Sequence, residues 1–204
     1  MIKIIEEEHL KVKTAACQKE KPGYTICGDA YCMLETEGYF LAALADGLGS
    51  GEIANRSARL AVDVIEKEHG SLSLERLMSA CNQSLISERG VVLTMLKIDY
   101  RTKRIDYVNV GNVECLINVD NETCYRPISM SGFLSGHRTV PRANAFHFHS
   151  ELSFVLYSDG VEHHGMKDAF VRHGATPARF VKNRVTEQGV GHKDDMTIIA
   201  GHIT

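Results

Sequence analysis

"ALADGLGSGEIANRS", residues 43–57, is the stretch on which the reading of the whole chain turns. The apolar run that leads into it, "YFLAALAD" (39–46), stops on Asp46, and glycines follow at 47, 49 and 51. A strand that is nearly continuous in apolar residues is one covered on both faces. After the glycines, Ile53, Ala54, Ser57, Ala58, Ala61, Val64 and Ile65 recur at helical spacing, with Glu52, Arg56, Arg59, Asp63 and Lys67 on the other face. The alanines in that stripe let a helix lie close against a sheet. The carboxylate at the corner has two readings: Asp-Gly simply turns the chain, or Asp46 and its neighbours hold something.

Outward from this point, strands outnumber helices. "HLKVKTAAC" (9–17) alternates, and "AYCML" (30–34) pairs with 39–46 as a hairpin around Glu35 to Gly38. A second helix follows the first, capped by Ser71 or Ser73, with Leu74, Leu77, Met78, Cys81 and Leu85 as its buried stripe. Strands are expected over 91–99, 104–110, 113–119 and 122–127, then a long loop over 128–142, then strands at "FHFH" (146–149) and 152–159. Residues 167–188 read as a helix broken near Gly174 and Pro177, and "MTIIAGH" (196–202) as a closing strand. This order is not strict β-α alternation. It predicts an α+β sandwich of largely antiparallel sheets covered by helices, in one domain over residues 1–204.

Composition narrows the function. The chain has 204 residues, 44% of them hydrophobic, and a net charge of -3. Its lysines and arginines are scattered, so neither nucleic acid nor an anionic membrane is expected as a partner. The start, "MIKIIEEEHL", turns acidic at once, unlike a signal peptide or anchor. Six cysteines show no C-x-x-C pair and lie mostly in apolar stretches, which predicts buried thiols and a cytoplasmic protein.

The corner at Asp46 is repeated. "FLAALADG" (40–47) and "FVLYSDG" (154–160) share apolar strand, small residue, Asp, Gly. "HKDDMTII" (192–199) sets Asp194 and Asp195 before an apolar strand, and "ICGDAY" (26–31) puts Asp29 after a glycine at a strand mouth. For one Asp-Gly alone, turn chemistry is the better reading. Two matched copies and an Asp-Asp pair predict carboxylates converging at a sheet rim, where they repel unless protons or cations neutralise them. An all-oxygen cluster calls for a hard divalent ion such as Mg2+ or Mn2+. Gly47 can then present its carbonyl to an ion, and the Gly49-Ser50-Gly51 corner leads into a helix N-terminus suited to a phosphate. The rival reading, a nucleotide-binding glycine loop, lacks both the G-x-G-x-x-G spacing and the Lys-Ser/Thr of a P-loop.

Gly28-Asp29, "ADGLGSG", "VGNVEC", "YSDG" and "KDDMT", in this order and spacing, resemble the metal-dependent PP2C-type (PPM) serine/threonine phosphatases. The SpoIIE-like bacterial branch, and its compact stressosome phosphatases, are the most similar in pattern. The resemblance spans nearly the whole chain. It implies a four-layer α-β-β-α sandwich with a binuclear Mn2+ or Mg2+ centre between the sheets. By resemblance, Asp46 bridges both ions, Gly47 gives its backbone oxygen, and Asp159 and Asp194 complete the shell, these three aspartates being the catalytic set. Asp29 matches an acidic position that usually holds metal-bound water, and Asp195 falls where the family often has Asn, beside the ligands.

Three positions depart from the eukaryotic members. Gly28 stands where they have Glu, the place of a phosphate-clamping Arg falls near Tyr24 with only Lys19 and Lys21 close by, and Leu48 replaces a His proposed as general acid. The clamp and the leaving-group acid are therefore unassigned. The resemblance implies hydrolysis of phosphoserine or phosphothreonine by metal-activated water, with phosphorylated stressosome proteins that carry STAS domains as substrates. The alternative is a catalytically weak or inactive PP2C-like module that binds a partner without turnover. His147 and His149 read as an exposed polar strand face rather than ligands, and the adjacent His163 and His164, whose side chains diverge, as non-ligands with room to border the metal pocket. Basic residues of the long loop, Arg138 and Arg142 with His137, read equally as solvated side chains or as substrate contacts.

Overall fold

The structure is a computed structural model that describes residues 4–189 and 192–204. Its strands and helices run β1 (Ile4–Glu8), β2 (Val12–Lys19), β3 (Asp29–Glu35), β4 (Tyr39–Gly47), α1 (Gly51–Glu68), α2 (Leu74–Ser84), β5 (Val91–Asp99) and β6 (Arg104–Val110). There follow β7 (Glu114–Val119), β8 (Thr123–Tyr125), β9 (Asn144–His147), β10 (Leu152–Tyr157), α3 (Met166–His173), α4 (Pro177–Gln188) and β11 (Met196–Ile203). One sheet has the order β1-β2-β11-β10-β7-β8 and the other β3-β4-β5-β6-β9, and every ladder between these neighbours is antiparallel.

Side-chain parity makes the layers. Along β4, Phe40, Ala42 and Leu44 join Leu96, Ile105, Ile117, Phe154, Leu156 and Ile199 in a core between the two sheets. The alternate residues Leu41, Ala43 and Ala45 pack instead under α1 and α2, against Ala58, Ala61, Ile65, Leu77 and Met78. That double burial is why β4 reads as an unbroken apolar run. On the outer face of the other sheet, Val155, Tyr157, Ile198 and Ala200 meet Phe170, Phe180 and Val185 of α3 and α4. The result is the expected α-β-β-α sandwich, with three apolar cores between its two sheets and two helical layers.

Local chemistry sets the ends. Ser73 caps α2 by accepting from the Arg76 amide at 3.4 Å, and Pro177 opens α4, where its missing N–H costs nothing. Two expectations shift. The strand expected over 146–149 lies at Asn144–His147, and His149 has left it to donate its amide to Asp120 at 3.1 Å. The acidic start holds an edge strand, β1, whose Glu6, Glu7 and Glu8 are exposed, the charged side chains that blunt an open sheet edge. The loop at 128–142 is pinned to α2: Asn82 Oδ1 accepts from the amides of Ser135 and Gly136, and its Nδ2 donates to the His137 carbonyl at 2.6 Å.

Candidate active site

The parity that builds the inter-sheet core also aims the aspartates. Phe40, Ala42 and Leu44 point between the sheets, so Asp46, two residues on, continues their phase. Tyr31 and Met33 of β3 border the same core, which puts Asp29 in that phase too, and Asp29 lies directly across from Asp46 in the β3–β4 ladder. In the other sheet Leu156 and Ile199 face inward, so Thr197 continues that face to the start of β11, and Ser158 and Asp195 extend it beyond the strand ends. Four strand ends from two sheets thus open on one edge of the inter-sheet space.

Electrostatics shows who meets there. Burial first, then Asp29, Asp159 and Asp194, push the Asp46 carboxyl well above the usual carboxylate range. Asp29 is 1% exposed, and neither of its oxygens has a hydrogen-bond partner. Burial raises its pKa most; the nearby Thr197 and Ser158 hydroxyls lower it, and Asp195 and Asp159 raise it again. Asp29, Asp46, Asp159 and Asp194 are therefore brought together by the fold. Among the described residues, no three His, Cys, Asp or Glu side chains are gathered tightly enough to enclose an ion as they stand, as expected of like charges left facing one another.

Neighbouring groups fix Asp159, Asp194 and Asp195. Asn112, just past the end of β6, donates from Nδ2 to Asp159 Oδ2 at 2.9 Å. Lys21 Nζ lies 3.3 Å from Asp194 Oδ1. Asp195 is turned inward: its Oδ1 accepts from the Lys21 amide at 2.8 Å, and its own amide donates to Asp194 Oδ1 at 2.9 Å. It ties the 19–28 segment to the end of β11.

The glycines of these motifs are close-approach residues. A Cβ at Gly47 would stand 2.0 Å from the Ala54 carbonyl oxygen, and one at Gly160 would stand 2.1 Å from that of Asp195. The first lets α1 cross directly over the end of β4; the second lets the Asp159 and Asp194–Asp195 corners touch. At Gly28 a Cβ would lie 2.7 Å from Asp195 Oδ2. Asp195 occupies the space that a side chain at 28 would need, which accounts for the glycine there.

His163 stays outside. The His163 ring packs 5.5 Å from that of Tyr157, which belongs to the helix-facing core. Of the residues with a clear position at this edge, Asn112 and Lys21 had no assigned role in the sequence. Asn112 sits in the quoted "VGNVEC", and only its contact with Asp159 gives it one.

The chain matches the Stage II sporulation protein E (SpoIIE) family over residues 36–204. It belongs to that family. The phosphoserine phosphatase RsbX of Bacillus subtilis (strain 168) is 29% identical over 204 residues, which is 100% of either chain. A crystal structure of RsbX in complex with magnesium has a TM-score of 0.90 at 28% identity and covers 100% of both chains. A chain from a structure of the bacterial stressosome has a TM-score of 0.82 at 23% identity, over 95% of this chain and 100% of that one. The catalytic domain of the serine/threonine protein phosphatase PstP, in complex with two manganese ions, has a TM-score of 0.70 at 13% identity, over 95% and 99%. The last two likenesses are likenesses of fold: this SpoIIE-family chain has the PP2C sandwich.

Proposed function

We propose that this SpoIIE-family chain is a metal-dependent protein phosphatase that removes phosphate from phosphoserine and phosphothreonine, with the aspartate edge as its active site. The observation that carries this reading is Asp29, buried with both carboxylate oxygens unpartnered beside Asp46. A buried carboxylate without a partner is costly, and a cluster of oxygen donors fits a hard divalent cation. Asp46, Asp159, Asp194 and the Gly47 carbonyl would hold Mn2+ or Mg2+. Such ions, when bound, lower the pKa of water and offset charge on the transferred phosphoryl group.

The chain's own residues supply position. Asn112 orients Asp159 and Lys21 holds Asp194. Asp29 offers two free acceptor oxygens to a water at the edge. Ser50, the N-cap of α1, makes no side-chain capping bond, so the first-turn amides of that helix remain open to a phosphate oxygen. Asp195 braces the site from beneath through the Lys21 amide.

The likeness to RsbX supports phosphorylated STAS-domain proteins of the stressosome as substrates, and a cytoplasmic setting in which the enzyme resets a stress signal. No helix among the described residues is long and apolar enough to cross a membrane. The test is phosphate release from phosphorylated stressosome proteins with Mn2+ or Mg2+ present, with Asp46→Asn as the control. Release that is cation-dependent and lost in the variant supports the reading. Full activity in Asp46→Asn, or binding of the phosphoprotein without any turnover, overturns it.

A further inference from the structure

A phosphate monoester needs a cation besides those among the carboxylates, and Lys21, beside the expected clamp position, is not free to be that cation. Lys21 is committed to Asp194 at 3.3 Å. Tyr24 fills its own space: a Cβ at Gly51 would lie 2.7 Å from the Tyr24 ring. On the other side of the glycine corner the arrangement differs.

The β4–β5 ladder pairs Gly47 with Val91, and one step further the Leu48 amide donates to the Gly90 carbonyl at 3.0 Å. Continuing that register sets Gly49 opposite Arg89. The contact is close: a Cβ at Gly49 would lie 3.3 Å from Arg89 Nη1 and 3.8 Å from its Cδ. The guanidinium therefore lies over the bare backbone of Gly49. Among the described residues Arg89 has no ion pair and donates no side-chain hydrogen bond, and its side chain is exposed. Its acidic neighbour Glu88 is already taken, accepting from Arg56 Nη2 at 2.7 Å.

We propose that Arg89 is a substrate-binding residue, whose guanidinium takes the phosphate oxygens of the phosphoprotein over the Gly49 corner. The inference rests on the aspartate edge being the active site. Arg89 stands opposite the residue three positions past Asp46, about 10 Å along the strand at the usual rise, a gap that an Arg side chain and a phosphoryl group bridge together. Guanidinium is suited to the task because its planar fork matches two phosphate oxygens and its charge is permanent. The glycine at 49 has a use in this arrangement, since a Cβ there would press on the guanidinium at 3.3 Å.

The experiment compares wild type, Arg89→Ala, Arg89→Lys and Asp46→Asn, with p-nitrophenyl phosphate as substrate and inorganic phosphate as competitor at saturating Mg2+. Arg89→Ala should raise both KM and the phosphate inhibition constant about tenfold or more, the loss expected for one charge-assisted contact. Arg89→Lys should recover part of both. The rise in unfolding midpoint on adding phosphate to the Mg2+-loaded protein should shrink in Arg89→Ala, while the rise on adding Mg2+ alone stays as in wild type. Unchanged KM and phosphate inhibition in Arg89→Ala, beside an inactive Asp46→Asn, overturn the inference alone. An active Asp46→Asn overturns the reading of the site and the inference with it.

Discussion

Asp46 is a residue the fold carries at a cost. Its carboxyl is held above the usual range by burial and by three other aspartates, so ionising it in the absence of a cation destabilises the chain. The proposed consequence is that Asp46→Asn abolishes phosphate release and raises the unfolding midpoint of the metal-free protein, checked by calorimetry with chelator present. Asn112 makes a narrower prediction. The hydrogen bond its side-chain amide donates to Asp159 at 2.9 Å orients a proposed ligand, and losing such a partner typically costs about 10- to 100-fold in metal affinity. Asn112→Ala should therefore weaken Mn2+ binding by that order, read from the Mn2+ dependence of the unfolding midpoint, with little change in the midpoint of the metal-free protein. Asp195 behaves differently from its neighbour Asp194: its carboxylate accepts from the Lys21 amide in the 19–28 segment, so it holds the site in place from below.

Elements position these residues through their ends. β3 and β4 bring Asp29 and Asp46 side by side, β10 and β11 bring Asp159 and the Asp194–Asp195 corner together, and α1 begins at the glycine corner. The tip of the long 128–142 loop is held by Asn82 and by a backbone bridge. Asn82 accepts from Ser135 and Gly136 and donates to His137, and Leu134 pairs with Val91 at the start of β5. Asn82→Ala should cost roughly 1–3 kcal/mol, the usual penalty for buried groups left without partners. Hydrogen exchange should show the amides of Ser135 and Gly136 losing protection while those of β4 and β5 keep theirs. Protection unchanged at Ser135 and Gly136 would mean the loop is held some other way.

At the scale of the molecule, the two sheets are a clamp around charge. For Asp29 and Asp46 the folded-state pKa is raised above the unfolded value, so the folded state binds more protons than the unfolded one across the window between them. By linkage, that stability is present in full below the ordinary carboxylate range and is lost as pH rises through the folded values. The metal-free protein should therefore lose stability on going from about pH 4, where the unfolded carboxylates titrate, toward neutral and alkaline pH, with the slope reduced in Asp46→Asn. Mn2+ should restore the loss, adding about 2.7 kcal/mol when its concentration is one hundred times the dissociation constant. Denaturant unfolding across pH, with and without Mn2+, measures both.

Much of this was legible along the chain. The unbroken apolar run of 39–46, the repeated strand-Asp-Gly corner and the Ala-rich stripe after it are local patterns, and local patterns record which face of an element is buried. They determined the sandwich, its helices and the set of aspartates to watch. What they could not carry was parity across the sheets, because register is set by pairing between strands far apart in sequence. Only the tertiary structure decided that Asp29 faces Asp46, that Asp195 fills the space beside Gly28 and so leaves no room for a larger residue there, that Asn112 reaches Asp159, and that an arginine forty residues beyond the glycine corner lies across it. Each is a contact between segments whose separation along the chain hides it, and each exists because close packing leaves one place for every side chain.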